Sequence, residues 1–279
     1  MDIWKKNIAV LSQKDNYSYP PKKPISVAIG IVWIIVIMLL LQNFPVLIYK
    51  FVNREATMDS TAVVLSGFGN FAAALVLYLC FIRKEKKYYP TVTRKMTKLE
   101  CASSLFFLLA VSGVISLIVD LIKFYTGFIA TSEAISNVMN MNFFVQLFMS
   151  VISAGIAEEV LFRGCIQNRL MCRINNIWAM VITAALFGLI HGNVSQFITA
   201  TVTGIAFCFV YAKTRSLWVS ILTHMFNNLV SFLCSDFITP TFGDAKYWIV
   251  SVVLIVVSVV LAIPFVKGDA AAIEKSPEA

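Results

Sequence analysis

Apolar residues in this sequence form long runs that short polar segments separate. A helix needs about 20 apolar residues to cross the hydrocarbon core of a bilayer. Most of the runs reach that length, and two shorter ones lie in the second half of the chain. The pattern predicts an all-α, polytopic membrane protein with eight transmembrane helices, at residues 25–48, 62–82, 101–122, 143–165, 177–191, 197–211, 217–234 and 247–266.

The loops between these runs predict the domain organisation and the orientation. Lys and Arg are frequent after the second, fourth and sixth helices, and elsewhere they are few or balanced by acidic residues. Because cytoplasmic loops carry the excess of positive residues, we expect a cytoplasmic segment at 1–24, a membrane domain at 25–266 and a disordered cytoplasmic tail at 267–279. A small eight-helix chain with a short basic N-terminal segment is typical of bacteria. We therefore expect this protein in the bacterial plasma membrane.

Composition supports this picture and excludes a soluble domain. Of the 279 residues 59% are hydrophobic and 14% are charged, whereas soluble domains carry about 25% charged residues. The net charge of +8 would suit a nucleic-acid partner. The Lys and Arg residues lie in alternate loops, however, and the orientation of the protein in the membrane explains this distribution. We expect the lipid bilayer as a partner and no nucleic acid.

Two adjacent carboxylates, Glu158 and Glu159, interrupt the apolar run at 143–165. A charge inside a membrane helix is costly unless it is paired or faces a polar cavity. Arg163 lies four residues after Glu159, so these two can form an ion pair that holds helices together. Glu158 points about 100° away and needs a partner from another helix.

The chain has two histidines, His191 and His224, and both lie in apolar segments. Asn175 and Asn176 mark the turn between the fourth and fifth helices, and Glu158 and His191 lie at similar distances from it. We expect Glu158, His191 and His224 to meet in one buried polar site. His224 lies close in sequence to the charged cytoplasmic loop before its helix. It can reach the depth of Glu158 and His191 only if that helix is tilted or starts deeper in the membrane.

The residues of such a site can hydrolyse an amide in two ways. A carboxylate can remove a proton from water while an imidazole and an amide stabilise the oxyanion. Alternatively, Glu158, His191 and His224 can bind Zn²⁺ and leave a fourth position for water. We slightly favour the metal-free route, because the histidines come from separate helices and the H-E-x-x-H motif is absent. His191 could instead be a capping or interfacial residue near the turn at Gly192 and Asn193, and His224 could simply form a hydrogen bond between helices.

Three motifs follow one another on successive predicted helices: Glu158-Glu159-x-x-x-Arg163, Phe187-x-x-x-His191 and His224-x-x-x-Asn228. With these motifs, residues 143–234 resemble the CAAX-protease and bacteriocin-processing (CPBP, or Abi) family of intramembrane endopeptidases. The resemblance implies an eight-helix fold with its site inside the membrane. Family members are usually called metalloproteases, and a metal-free glutamate mechanism is also argued.

The resemblance also implies a role for each motif residue. The catalytic set it implies is Glu158 to activate water, His191 to assist, and His224 with Asn228 to bind the oxyanion. The residues left for structural support are Glu159, Arg163 and Phe187. The expected substrate is a membrane-associated peptide or protein. The alternative is a non-catalytic bacteriocin self-immunity or transport protein that uses the same polar site.

The alternating charges give a testable topology. Reporter fusions near Lys87 and Lys213 should give cytoplasmic signals, and fusions near Ser132 and Gly243 should give external ones, because only the first pair lies in basic loops. A cytoplasmic signal from Gly243 would contradict the eight-helix arrangement.

Overall fold

A computed structural model of the chain describes residues 24–54, 60–86, 91–92, 95–126, 141–234, 245–269 and 273–274. The predicted segment at 1–24 lies almost entirely outside these residues. Within the described part the fold is helical, and the bounds of its eight helices are α1 Pro24–Val52, α2 Ser60–Glu85, α3 Lys98–Thr126, α4 Phe143–Met171, α5 Asn176–Leu189, α6 Val194–Thr214, α7 Leu217–Cys234 and α8 Ala245–Lys267.

The structure confirms an all-α, polytopic membrane fold. Six of these helices are long and apolar enough to cross a bilayer, and α5 and α7 are shorter apolar helices. The outer helices expose large apolar side chains such as Trp33, Phe51 and Val260, as expected of surfaces that lipid covers. A full crossing by α5 and α7 stays a prediction.

The central element of the fold is α4. It packs against α2, α5 and α7, and every residue from Glu159 to Asn168 is buried. Around it, α1 packs on α2, α3 packs on α8, and α5 packs on α6. The two glutamates thus lie on a helix that other helices surround.

The α4 helix is not regular. Two stretches of it, Leu147–Ser153 and Val160–Gln167, are π-helical, and the α-helical turn Ala154–Glu159 lies between them. A π-helical turn contains more residues than an α-helical turn, and such turns are frequent at functional sites. The wider turns change which side chains share a face on either side of the glutamates.

Small residues bring the neighbouring helices close to this region. A Cβ atom on Gly155 would lie 2.7 Å from Cγ of Met225 on α7. A Cβ atom on Gly204 of α6 would lie 3.0 Å from a ring carbon of Phe187 and 3.3 Å from Cα of Ala184 on α5. Glycine at both positions therefore permits the close helix packing that membrane proteins favour.

The C-terminal tail differs from its prediction. Ile273–Glu274 pairs with Thr91–Val92 as two short antiparallel strands, with Thr91 opposite Glu274 and Val92 opposite Ile273. The prediction of a disordered tail is therefore wrong at these residues, because backbone hydrogen bonds to the loop after α2 order them. The division into three segments stays a prediction.

Candidate functional site

The predicted site residues line one cavity. Its volume is about 350 Å³, and its wall combines four predicted residues with several polar and aromatic side chains. The predicted lining residues are Glu158, His191, His224 and Asn228, and Phe187 lines it as well. The expectation that side chains from the fourth, fifth and seventh helices come together agrees with this geometry.

Glu159 is completely buried and has three side-chain partners. Its Oε1 accepts hydrogen bonds from Arg163 Nη1 at 2.9 Å and from His224 Nδ1 at 2.8 Å, and its Oε2 accepts one from Ser220 Oγ at 2.5 Å. The Arg163 and Glu159 side chains are both 0% exposed. The predicted ion pair is present, but Glu159 also holds a histidine of the site.

Arg163 is held by more than its carboxylate partner. Its Nη2 donates to the backbone oxygen of Gly204 at 3.1 Å. Its guanidinium lies 5.0 Å from the ring centre of Phe187 and 5.1 Å from that of Phe207. Contacts between a cation and aromatic faces are favourable at these distances. Arg163 therefore links α4 to α5 and α6 while it balances the charge of Glu159.

The bond to Glu159 fixes the proton position on His224. A carboxylate that is paired with a guanidinium only accepts hydrogen bonds, so Nδ1 of His224 must be the donor. The imidazole ring stacks on Phe207, with ring centres 4.2 Å apart, and its Nε2 lies 3.9 Å from Oε2 of Glu158. A neutral His224 thus presents an acceptor at Nε2, and donates there only after taking up a second proton.

Glu158 and His191 are more open to the cavity. The Glu158 side chain is 21% exposed, in contrast to the closed surroundings of Glu159. His191 follows the end of α5, and its Nδ1 lies 2.7 Å from the backbone oxygen of Phe187. A carbonyl oxygen can only accept, so Nδ1 of His191 also carries the proton, and Nε2 has no hydrogen bond to the residues that the structure describes.

Neighbouring groups orient the amide of Asn228. Its Nδ2 donates to the backbone oxygen of Ser150 at 2.8 Å, and its Oδ1 accepts a long hydrogen bond of 3.4 Å from Asn227. Asn227 accepts in turn from Ser112 Oγ of α3 at 2.6 Å. An NH2 group has two hydrogens, so the contacts among the described residues leave one hydrogen of Asn228 for a ligand in the cavity.

Several residues that line or support the cavity were missed by the sequence analysis. Ser220 lies one helical turn before His224 and shares its face, so the spacing of four residues could have indicated it. Phe207 and Gln196 line the cavity from α6, and no local motif marks either of them. The sequence left the depth of His224 open. Its contact with Glu159 shows that the two side chains lie at the same depth in the helix bundle.

The three possible zinc ligands do not form a metal site as they are placed here. Among the residues that the structure describes, no three His, Cys, Asp or Glu side chains are grouped so that they could hold a metal ion. Nδ1 of His224 and Nδ1 of His191 each face a protein oxygen, which leaves Nε2 of each ring as the nitrogen that could hold an ion. The mechanism proposed below uses protein groups alone, because the described side chains are not grouped around one point.

Comparisons with known proteins support the resemblance seen in the sequence. Residues 140–230 match the family model described as "Type II CAAX prenyl endopeptidase Rce1-like". A relative from Bacillus subtilis (strain 168), named "Putative membrane peptidase YdiL", is 32% identical over 84 residues, which are 30% of this chain and 34% of the relative. The match thus covers about a third of that relative's length. No solved structure matches the chain. The resemblance to the CAAX-protease family is thereby confirmed for the part of the chain that carries the site.

The buried pair gives a stability prediction. Arg163→Ala leaves Glu159 buried without its charge partner, a change that costs about 3–5 kcal/mol in buried ion pairs. We expect the melting temperature of the purified protein in detergent to fall by about 10 °C. The matched control is Arg83→Ala, since Arg83 is exposed at the end of α2. Equal melting temperatures for the two variants would contradict the role assigned to Arg163.

Proposed function

We propose that this protein is an intramembrane endopeptidase of the bacterial plasma membrane that hydrolyses a peptide bond in a membrane-associated peptide or protein. The observation that carries the proposal is the different surroundings of the adjacent glutamates. Glu159 is closed in by Arg163, Ser220 and His224, whereas Glu158 borders a cavity with both histidines and Asn228. A protein without catalytic activity would need only the enclosed Glu159 to hold its helices together. It would not need a second carboxylate at the cavity.

In the proposed reaction Glu158 is the general base. Its carboxylate takes a proton from a water molecule that His191 Nε2 helps to hold, and the water oxygen attacks the carbonyl carbon of the peptide bond. The carbonyl π electrons move onto its oxygen. The C–N bond then breaks as the nitrogen takes the proton from Glu158, which gives a free carboxyl group and a free amine.

The oxyanion formed in this step needs donors. The available hydrogen of Asn228 Nδ2 supplies one hydrogen bond, and His224 supplies another when its Nε2 is protonated. One such donor typically contributes about 10²–10³ in rate. Glu159 acts through His224, since its carboxylate fixes the ring orientation and the Nδ1 proton. Glu159, Arg163 and Phe187 are therefore supporting residues.

The proposal is tested by comparing membrane peptides from cells that contain wild-type protein or the Glu158→Gln variant. The amide of glutamine cannot take a proton from water, so we expect wild-type-specific cleavage products to disappear. The folded state should persist, because Glu158 borders a cavity and takes no part in the buried pair. Identical peptide sets would favour the non-catalytic immunity or transport alternative.

Metal dependence is tested separately. The metal-free mechanism predicts that purified protein retains full activity after exhaustive chelation, because Glu158 itself activates the water. The measurement combines metal content with the cleavage rate of a peptide found in the comparison above. Stoichiometric zinc, with activity lost on its removal and restored on its return, would establish the metal-dependent alternative.

A further inference from the structure

Gln196 lines the cavity from the first turn of α6. Its backbone N–H donates to Oδ1 of Asn193 at 2.8 Å, and Asn193 is thereby the N-cap of the helix. In a capping box, a glutamine at this position would reach back to the backbone N–H of the N-cap residue. Here its side chain instead contacts the side chain of Asn193, since Nδ2 of Asn193 donates to Oε1 of Gln196.

These two contacts determine which way the Gln196 amide points. Oδ1 of Asn193 is used by the backbone of α6, so only Nδ2 of Asn193 can face Gln196. A donor at that position requires the oxygen of Gln196 opposite it. The NH2 group of Gln196 is then turned away from Asn193, and no residue that the structure describes accepts a hydrogen bond from it.

The other polar side chains of α6 in the cavity wall cannot supply a donor in the same way. The hydroxyl of Thr203 donates to the backbone oxygen of Thr199 at 2.7 Å. The hydroxyl of Thr199 donates to the backbone oxygen of Ser195 at 3.1 Å. Both hydroxyl hydrogens are used within the helix, so these side chains offer only acceptors. Gln196 is therefore the side chain through which α6 presents a donor to this cavity.

The chemistry of the site gives this donor a use. A neutral His224 with its proton on Nδ1 offers an acceptor at Nε2, and one hydrogen of Asn228 is already bound to Ser150. A bound peptide has carbonyl oxygens that lose their water in the cavity and need donors. We propose that Nε2 of Gln196 donates a hydrogen bond to a backbone carbonyl of the substrate peptide, and that Asn193 is the positioning residue that keeps this donor turned toward the cavity.

This inference rests on the proposed function, and its test keeps the two apart. The probe is a synthetic, internally quenched copy of the segment around a Glu158-dependent cleavage site. The variants are Gln196→Met, which removes the amide, and Asn193→Asp, which keeps the helix cap but replaces the donor with an acceptor. In Asn193→Asp the Gln196 amide should turn its NH2 group toward the new carboxylate and present its oxygen to the cavity.

We expect each variant to lower kcat/KM about 10- to 100-fold, the range for one hydrogen bond whose partner is left unpaired. The double variant should lose no more than either single variant, because both remove one donor. The melting temperatures should stay near that of the wild type. The control is Asn175→Asp, since Asn175 caps α5 in the same way, accepting from Trp178 N at 3.0 Å, and lies outside the cavity. Its kcat/KM should be unchanged.

Three results with the Gln196 and Asn193 variants would overturn the inference. Wild-type kcat/KM in Gln196→Met would show that the amide does not bind substrate, and full activity in Asn193→Asp alone would remove the positioning role. Additive losses in the double variant would mean that the two residues act separately. If Glu158→Gln cleaves the probe as fast as wild type, the proposed function itself fails and this inference fails with it.

Discussion

A carboxylate in the middle of a membrane protein persists only if other groups replace the water it has lost. Glu159 meets this constraint with three donors from two helices, namely Arg163, Ser220 and His224. The arginine balances its charge, the serine occupies its second oxygen, and the histidine is held in one orientation as a consequence. The contacts that stabilise the buried carboxylate of Glu159 therefore also orient the imidazole ring of His224 at the cavity wall.

The rest of the fold makes this arrangement possible. Gly155 allows α7 to approach α4 closely, and Gly204 allows α6 to approach α5. Side chains from α4 and α7 thereby reach a single carboxylate. The π-helical turns on both sides of the glutamates set which residues of α4 face inward. Glu158, next in the chain, faces a different direction and borders the cavity. Adjacent positions on one helix thus receive different surroundings, and we assign them different roles.

Much of this could be predicted from the sequence, because helix periodicity and charge cost are local properties. The apolar runs gave helix bounds within about four residues, except that α4 continues to Met171. The spacing of Glu159 and Arg163 predicted their ion pair. The bond between Glu159 and His224 could not be predicted, since it joins residues 65 positions apart on different helices. The order of residues 273–274 also depends on a distant partner, Thr91–Val92.

The central claim is that Glu159 fixes the proton of His224 on Nδ1. Nitrogen-15 NMR of the protein in lipid, with only histidine labelled, measures this directly, because the chain has two histidines and His191→Gln leaves one signal set. The account predicts a protonated, strongly hydrogen-bonded Nδ1 at His224. A spectrum in which Nδ1 lacks a proton and Nε2 carries it would contradict the account, since Glu159 would then have no donor in this ring.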